Sequence, residues 1–191
     1  MQLILASQSP RRKELLGLFH IPFQIRVADI DETMDPACSP AQEVARVSRL
    51  KAEAARRSLD DIVIAADTIV VCKDQILGKP KDEADAFRML RLLSGTDHQV
   101  MTGLTVLRGD STTVCTEITH IHFRELTDQE IHAYIRTGEP MDKAGSYGIQ
   151  GGAAVFAEKI VGDYYNVMGL PICRLWQILS TVAPKLMEEY R

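Results

Sequence analysis

The chain has 191 residues, a formal net charge of −4 and 46% hydrophobic residues. These values are typical of a soluble globular protein with a sizeable core. The acidic balance argues against sequence-independent binding of DNA or RNA, which needs an extended basic face. No apolar run approaches the roughly 20 residues of a membrane span, and the N-terminus lacks a signal-peptide pattern. We therefore expect a cytoplasmic protein with neither a membrane nor a nucleic-acid polymer as partner.

The cysteines are far apart in the sequence and include no CxxC pair: Cys38, Cys72, Cys115 and Cys173. Cys72 lies in an apolar strand pattern and Cys173 among apolar helix residues, so we expect buried free thiols in a reducing compartment. Disulfides or a metal site are the alternatives.

The N-terminal stretch predicts a strand at residues 3–6, followed directly by a helix. Ser9 suits the N-cap position and Pro10 the first helical position. Three cations occupy the first turn: Arg11, Arg12 and Lys13. Cations are unfavourable at the positive end of a helix dipole, so a bound anion such as phosphate would explain them. The alternative is a solvated basic turn in which one arginine pairs with a carboxylate elsewhere.

The first half of the chain alternates strand and helix patterns. A strand is predicted at residues 23–27, and a helix runs from a capping box of Ser39 and Gln42 to about Ser58. The apolar run at 62–66 predicts a strand covered on both faces, which residues 67–68 interrupt and residues 69–72 resume. A turn follows at 73–75, and a loop at 78–80.

The second half contains hairpin patterns. Asp82 caps a helix that ends at Ser94-Gly95, and long strands are predicted at 99–107 and 112–123 around a hairpin turn. A capping box at Thr127 opens a helix through Arg136. Residues 138–152 read as a loop, 153–160 as a strand continued at 164–167, and 169–182 as a final helix followed by fraying residues.

Helices and strands are intermixed, with both crossover-like and hairpin-like connections. This pattern indicates an α/β fold with a mixed, twisted sheet and flanking helices. We see no linker, so residues 1–191 are expected to form a single domain. The hairpin region near 98–125 would belong to a second lobe, leaving a cleft of the kind that often binds ligands.

Asp67 is the strongest candidate for a catalytic residue. A carboxylate between Ala66 and Thr68, inside an apolar stretch, is costly unless it is paired or used. It suits a general base or a metal ligand. The alternative is an aspartate at a strand end that caps a neighbouring turn.

Other polar residues suit phosphate chemistry less specifically. Asp29, Asp31 and Glu32 could supply oxygen ligands to Mg²⁺ or Mn²⁺, or form a solvated acidic loop. Lys79 lies on a constrained loop where it could meet phosphate, whereas Lys51, on a helix with several arginines, reads as a surface residue.

The segment 142–152 is punctuated by glycines, so its backbone N–H groups could approach a ligand closely. Gln150 could read a base edge through its amide. The alternative is a flexible connecting loop. His120 and His122 share a face of a predicted strand, where a structural or surface role is favoured over a metal site.

Taken together, these residues indicate a cytoplasmic enzyme that acts on a phosphate ester or anhydride with a metal ion and a carboxylate base. Five motifs then occur in a definite order: Ser7-Gln8-Ser9-Pro10-Arg11-Arg12, Ala66-Asp67-Thr68, Gly78-Lys79-Pro80, Asp142-Lys143-Ala144-Gly145-Ser146-Tyr147-Gly148-Ile149-Gln150-Gly151 and Gly169-Leu170-Pro171. With them, nearly the whole chain resembles the Maf family of nucleoside triphosphate pyrophosphatases. The resemblance implies two lobes around a deep central cleft, related to the inosine triphosphatase group, and hydrolysis of a nucleoside triphosphate to the monophosphate and pyrophosphate with a divalent cation (Mg or Mn).

Three positions divide the family. The branch that acts on dTTP and UTP has Arg, Thr and Gln where the 7-methyl-GTP branch has Trp, Gln and Glu. This chain has Arg11, Thr68 and Gln150, so it resembles the dTTP/UTP branch, with modified pyrimidine nucleotides as further candidate substrates.

The resemblance also implies roles for individual residues. Asp67 would be the general base, and the cations that contact phosphate would be Arg11, Arg12, Lys51 and Lys79. Further substrate contacts are expected from Ser7, Ser9 and Lys143, and metal ligation from Glu32, Asp31 and Asp67.

Two alternative functions remain at this point. One is a non-catalytic, nucleotide-binding regulator of septum formation in cell division, and the other is a pyrophosphatase for non-standard purine nucleotides. The family further implies a house-cleaning role in nucleotide metabolism and a homodimer.

Overall fold

The computed structural model describes residues 1–27, 29–35 and 37–189. Within these ranges the strands are β1 (Leu3–Leu5), β2 (Gln24–Ile25), β3 (Ile62–Cys72), β4 (Gln75–Leu77), β5 (Asp97–Arg108), β6 (Ser111–Phe123) and β7 (Ala157–Val161). The α-helices are α1 (Pro10–Gly17), α2 (Pro40–Ala55), α3 (Glu83–Leu93), α4 (Asp128–Ile135), α5 (Tyr164–Val167), α6 (Ile172–Val182) and α7 (Pro184–Glu189). Short 3₁₀ turns occupy Glu139–Asp142, Ala144–Ser146 and Gly152–Phe156.

The strands form one mixed sheet in the order β2-β1-β3-β5-β6-β7, with β4 paired to β3. β1 pairs in parallel with β2 and with β3, and the helices α1 and α2 supply the crossovers between these strands. β4 is antiparallel to β3, and β7 is antiparallel to β6. The predicted α/β fold with a mixed sheet and flanking helices is therefore confirmed.

The chain divides into two compact units. Unit 1 comprises Met1–Asp67, Thr102–Glu117 and Gly169–Arg191, and unit 2 comprises Thr68–Met101 and Ile118–Met168. Three of the four boundaries fall inside β3, β5 and β6, and the fourth lies between α5 and α6.

In unit 1, α2 packs unusually closely on β5. A Cβ added to Gly103 would lie 2.1 Å from the carbonyl oxygen of Val44, so only glycine fits there. The hydroxyls of Ser48 and Thr105, both buried, lie 2.8 Å apart at the same contact. The buried alanines Ala52 and Ala55 extend this small-residue face of α2 into an apolar cluster with β1 and β3. The position of α2 is thus fixed by close backbone packing.

Most helix starts lie where the sequence predicts them. Ser9 and Asp82 cap α1 and α3. The capping boxes that begin with Ser39 and Thr127 are both formed. Gly95, after α3, has the positive φ of 65° expected at a helix end. None of the helices within the described ranges is long and apolar enough to cross a membrane.

Several predictions of local structure were wrong. β3 runs without a break through residues 67–68, because a continuous ladder is compatible with two half-buried polar residues. β4 was not predicted, since the tight turn at Lys73 and Asp74, both at positive φ, leaves only three residues for the returning strand. Residues 152–156 form a 3₁₀ turn, although a strand was expected from residue 153, so β7 begins only at Ala157.

The C-terminal part also differs. The segment expected to extend β7 is the short helix α5, because the Asp163 side chain accepts from the N–H of Tyr165 and caps it. The residues expected to fray include α7, while Tyr190 and Arg191 lie outside the described residues. All four cysteines are free and Cys72 is buried as expected, whereas Cys173 is exposed on α6.

Candidate active site

The N-terminus of α1 is built around two serine hydroxyls. Ser9 Oγ accepts from the backbone N–H of Arg12 at 3.4 Å, as an N-cap should. The buried Ser7 accepts from the backbone N–H of Ser9 and from the guanidinium Nη1 of Arg12, each at 3.2 Å. Both serines therefore orient the start of the helix and its second arginine.

Arg12 is held from a second direction by a distant part of unit 1. Its Nε donates to the carbonyl oxygen of Gly169 at 2.8 Å. Gly169 has a φ of 105°, a conformation that favours glycine, so the Gly169-Leu170-Pro171 motif presents this carbonyl. Burial lowers the pKa of Arg12, and the charges of Asp67 and Glu32 act in the opposite direction. A guanidinium stays charged under these conditions, so Arg12 is a fixed, half-buried cation.

The other two cations of the first turn differ in exposure. Arg11 is half-buried, and Lys13 is exposed. Arg12 has both a serine hydroxyl and a backbone carbonyl oxygen as acceptors.

Lys51 lies between two carboxylates. Its Nζ is 2.7 Å from Asp67 Oδ1 and 3.0 Å from Glu32 Oε1. The side chains of Lys51 and Asp67 are only 16% and 17% exposed, so both charges are largely removed from water and each needs the other. We call these three residues the carboxylate–lysine group. Interpreting Lys51 as a surface residue, and Asp67 as the cap of a turn, is therefore wrong for this structure.

The carboxylate–lysine group follows from the packing of α2. Lys51 comes one turn after Ser48, which contacts β5, and directly before the buried Ala52. Asp67 lies on β3, against which that face of α2 packs. A rigid helix on a rigid strand thus sets the distance between ammonium and carboxylate.

The acidic loop that carries Glu32 is hydrogen-bonded to α2 through Arg46, which also pairs with Glu43. The sequence did not predict this pair. Arg46 Nη2 donates to the carbonyl oxygen of Thr33 at 2.8 Å and to Oε1 of the buried Glu43 at 2.6 Å. The Arg46 hydrogen bond also lowers the pKa of Glu43. The spacing of an acidic and a basic residue by three positions on a helix was the available signal.

A divalent cation was expected at Glu32, Asp31 and Asp67. Within residues 1–27, 29–35 and 37–189, no three His, Cys, Asp or Glu side chains are grouped closely enough to hold a metal ion. Glu32 and Asp67 do converge on one cationic position, that of the Lys51 ammonium. Asp31 instead accepts from the backbone N–H of Thr33 at 2.8 Å. Hydrogen bonds from the side chain and the backbone of Thr33 lower the pKa of Asp31. Two converging hard oxygen donors fit Mg²⁺, which takes one or two carboxylates and completes its shell with water and phosphate oxygens.

Unit 2 carries the remaining candidate residues. Thr68 is half-buried on β3, and Lys79 is exposed on the loop after β4. Lys143 Nζ donates to the carbonyl oxygen of Glu139 at 2.6 Å and pairs with Asp142 Oδ1 at 2.7 Å. Gln150 is exposed.

Two motifs of unit 2 are joined by the backbone. The N–H of Gly145 donates to the carbonyl oxygen of Gly78 at 3.1 Å. Gly145 has a φ of 69°, and an added Cβ there would lie 2.8 Å from Val70. The loop at 78–80 and the glycine-rich segment therefore support each other, which neither motif indicated alone.

The histidine pair on β6 plays no part in this arrangement. His120 is exposed, and His122 Nδ1 lies 3.0 Å from Asp97 Oδ1 at the surface. The structural or surface role favoured for both is consistent with these positions.

The chain is similar in sequence to known proteins. A sequence model of the family described as Maf-like protein matches residues 2–182. The chain belongs to the Maf-like family. This Maf-like chain is 55% identical over 182 residues to the dTTP/UTP pyrophosphatase of Alkaliphilus metalliredigens (strain QYMF), covering 93% of this chain and 94% of that protein. It is 52% identical over 174 residues to the dTTP/UTP pyrophosphatase of Geobacillus sp. (strain WCH70), covering 91% and 94%.

Among solved structures, a HAM1 protein from Coxiella burnetii superposes with a TM-score of 0.54. The match covers 95% of the Maf-like chain and 99% of the other at 15% sequence identity. At that identity the likeness concerns the fold alone.

Proposed function

We propose that this Maf-like protein hydrolyses dTTP and UTP to the nucleoside monophosphate and pyrophosphate. The proposal is supported by two relatives of that name, each at least 52% identical over more than nine tenths of both chains. Modified pyrimidine nucleotides are included as candidate substrates.

One observation carries the proposed chemistry: Asp67 and Glu32 converge on the Lys51 ammonium beside a fixed Arg12. Hydrolysis at the α-phosphorus needs a group that accepts a proton from water and cations that offset the charge of the phosphate chain. The carboxylate–lysine group and Arg12 contain both within unit 1.

In this proposal Asp67 takes a proton from water as the water oxygen bonds to the α-phosphorus. The bond from that phosphorus to the bridging oxygen breaks, and pyrophosphate leaves with the bonding electrons. Lys51 and Arg12 hold phosphate oxygens, and Arg12 suits this task because Ser7 and Gly169 fix its guanidinium before substrate arrives. Lys79, exposed on its loop, is proposed as a further phosphate contact.

Glu32 and Asp67 would hold a divalent cation, with Asp31 as a further candidate ligand. When bound, such a cation polarises phosphoryl oxygens and offsets charge that develops on them. Lys51 then exchanges its carboxylate contacts for phosphate oxygens, which its flexible side chain permits.

Selection of the nucleotide is proposed for Arg11, Thr68 and Gln150. Gln150 offers both a donor and an acceptor, as the edge of a pyrimidine base requires. The hydroxyls of Ser7 and Ser9, and the ammonium of Lys143, are proposed as further substrate contacts. We also propose that both units fold as one domain, that the chain forms a homodimer and that it acts in the cytoplasm.

A panel of nucleoside triphosphates with Mg²⁺ or Mn²⁺, assayed for released pyrophosphate, tests the function. We expect the highest kcat/KM with dTTP and UTP. A preference for non-standard purine nucleotides would contradict the substrate assignment, and binding of dTTP without hydrolysis would contradict the enzymatic function altogether.

A further inference from the structure

The glycine-rich segment folds around a single carboxylate, that of Glu139. Its Oε2 accepts from the backbone N–H of Gly152 at 2.9 Å. Its Oε1 accepts from the hydroxyl of Tyr134 at 3.0 Å, and the same hydroxyl accepts from the backbone N–H of Gly148 at 2.9 Å. The carboxylate and the phenol together therefore hold the two N–H groups that bracket Gln150.

Two of the glycines leave the space that this carboxylate occupies. A Cβ on Gly151 would lie 2.1 Å from Glu139 Oε1, and one on Gly148 would lie 2.6 Å from the same atom. Neither glycine has a positive φ, so backbone conformation does not demand them. The sequence suggested that these glycines expose backbone N–H groups to a ligand. In the structure, the space beside Gly148 and Gly151 is occupied by the Glu139 side chain.

Between the two anchored N–H groups lies a tight turn. The N–H of Gly151 donates to the carbonyl oxygen of Gly148 at 3.0 Å, which closes the 148–151 turn. Ile149 is buried and Gln150 is exposed at the tip. The buried Ile149 side chain therefore holds the turn against the protein, while Gln150 is exposed to solvent.

The phenol that completes the network is buried and packed against another ring. The ring of Tyr134 packs edge-on against Phe156 at 5.3 Å between centroids. Burial raises the pKa of Tyr134, so its hydroxyl remains a donor toward Glu139. On the other side of Gly148, the buried Tyr147 donates or accepts at 2.9 Å with His98 Nε2.

We propose that Glu139, acting with Tyr134, is a positioning residue that fixes the 148–151 turn so that Gln150 can discriminate between nucleotide bases. The inference rests on the proposed function and deepens it. Glu139 reaches the base through the backbone of the turn and does not itself touch substrate. A preorganised amide discriminates better than a mobile one, because less conformational freedom is lost when the correct base binds.

Two variants perturb the network from opposite sides. Glu139→Gln keeps the shape of the side chain but offers one acceptor oxygen in place of two, so either Gly152 or Tyr134 loses its acceptor. Gly151→Ala keeps Glu139 and forces a methyl group against it. The matched control is Glu125→Gln, which changes an exposed glutamate in the same unit.

The readout is the ratio of kcat/KM for dTTP to kcat/KM for dATP. We expect each variant to lower this ratio by about tenfold, the effect of one lost hydrogen bond to a charged group, with most of the change in the KM for dTTP. In the double variant Glu139→Gln/Gly151→Ala, each change acts on the same hydrogen-bond network, so the two effects should not add. Glu125→Gln should match the wild type.

The outcomes separate the two proposals. If the wild type releases no pyrophosphate from any nucleotide, the proposed function fails. If the wild type prefers dTTP and both single variants keep its ratio, or lower kcat/KM equally for dTTP and dATP, the positioning role of Glu139 is overturned. Amide hydrogen exchange of the wild-type protein tests the network directly, because it needs no variant that could misfold. The Gly148 and Gly152 amides should be protected, and exchange as fast as in an unstructured peptide would overturn the inference.

Discussion

Lys51 lies on a helix of 16 residues packed against a sheet, whereas Gln150 lies at the tip of a turn closed by one backbone hydrogen bond. The helix is positioned by small residues, Gly103 and Ala52, that bring backbones close together. The turn is positioned by a polar network around one carboxylate. Close apolar packing resists changes of pH and salt, whereas a polar network holds only while each donor keeps its acceptor. We therefore expect the packing of α2 to be sensitive to added side-chain volume, and the turn to be sensitive to pH and to the loss of a hydrogen-bond partner.

The largest effect is expected from Asp67→Asn in the carboxylate–lysine group. An amide cannot accept the proton of the attacking water, so kcat should fall by about 10²–10⁴-fold. Nucleotide binding, measured by calorimetry, should change little, because the amide keeps an oxygen for the cation while Lys51 and Arg12 keep their charges. Asp60→Asn, at an exposed position of the same unit, is the control and should retain wild-type turnover. Near-normal turnover of the Asp67 variant would exclude it as the base.

Gly103→Ala tests whether packing alone positions α2. The added methyl group would lie 2.1 Å from a backbone carbonyl oxygen that cannot move independently of α2. We expect the free energy of unfolding, measured with urea, to fall by about 3 kcal/mol or more. Gly17→Ala, with no atom within 4 Å of the new methyl group, should change it by less than about 0.5 kcal/mol. Equal effects of the two substitutions would contradict the close contact.

The polar region should respond to pH through His98. Burial lowers the pKa of His98 to about 4, against an ordinary value of 6.5. Between these values the unfolded chain binds the proton and the folded chain does not, so stability falls as the pH falls below 6.5. By pH 4 the loss from this residue reaches about 3 kcal/mol.

The measurement is the free energy of unfolding in urea at several pH values between 7 and 4. His98→Phe should be less stable at pH 7, because Tyr147 loses its partner, but its stability should depend less on pH. His120→Gln, at an exposed position on β6, should keep the pH dependence of the wild type. Parallel pH curves for the wild type and His98→Phe would show that His98 is not the responsible group.

Arg12→Lys should have the smallest effect, because the positive charge remains. A lysine cannot bond Ser7 and Gly169 with the fixed geometry of a guanidinium, so orientation is lost while attraction to phosphate is kept. We expect kcat/KM for dTTP to fall by about tenfold. Arg57→Lys, at an exposed position of unit 1, should leave it unchanged. An unchanged value for Arg12→Lys would reduce the role of Arg12 to charge alone.

The sequence predicted regular elements better than irregular ones for a physical reason. Helix starts depend on a few neighbouring residues, so the caps at Ser9, Ser39 and Thr127 could be identified. The short helix α5 and the 3₁₀ turn before β7 depend instead on tertiary surroundings, and they were mistaken for strands.

The same distinction holds for the candidate site. Asp67 was recognisable because a carboxylate in an apolar run is costly wherever it occurs. The depth at which Lys51 lies and the Arg46 contact to Thr33 depend on how α2 packs, which no local pattern reports. Glu139 gave no local signal, because its partners are the hydroxyl of Tyr134 and the backbone N–H of Gly152. Its importance appears only in the absence of side chains at Gly148 and Gly151.

The hydrogen bond from Arg12 to Gly169 joins residues that are 157 positions apart in the chain. Because synthesis proceeds from the N-terminus, a ribosome produces Arg12 long before the carbonyl oxygen that orients it. The strand and helix around Arg12 can form early, but its guanidinium reaches its final orientation only after nearly all of the chain has emerged. A polypeptide that terminates before Gly169 therefore carries Arg12 without the carbonyl oxygen that orients it. The proposed nucleotide chemistry should accordingly be acquired only near the end of translation.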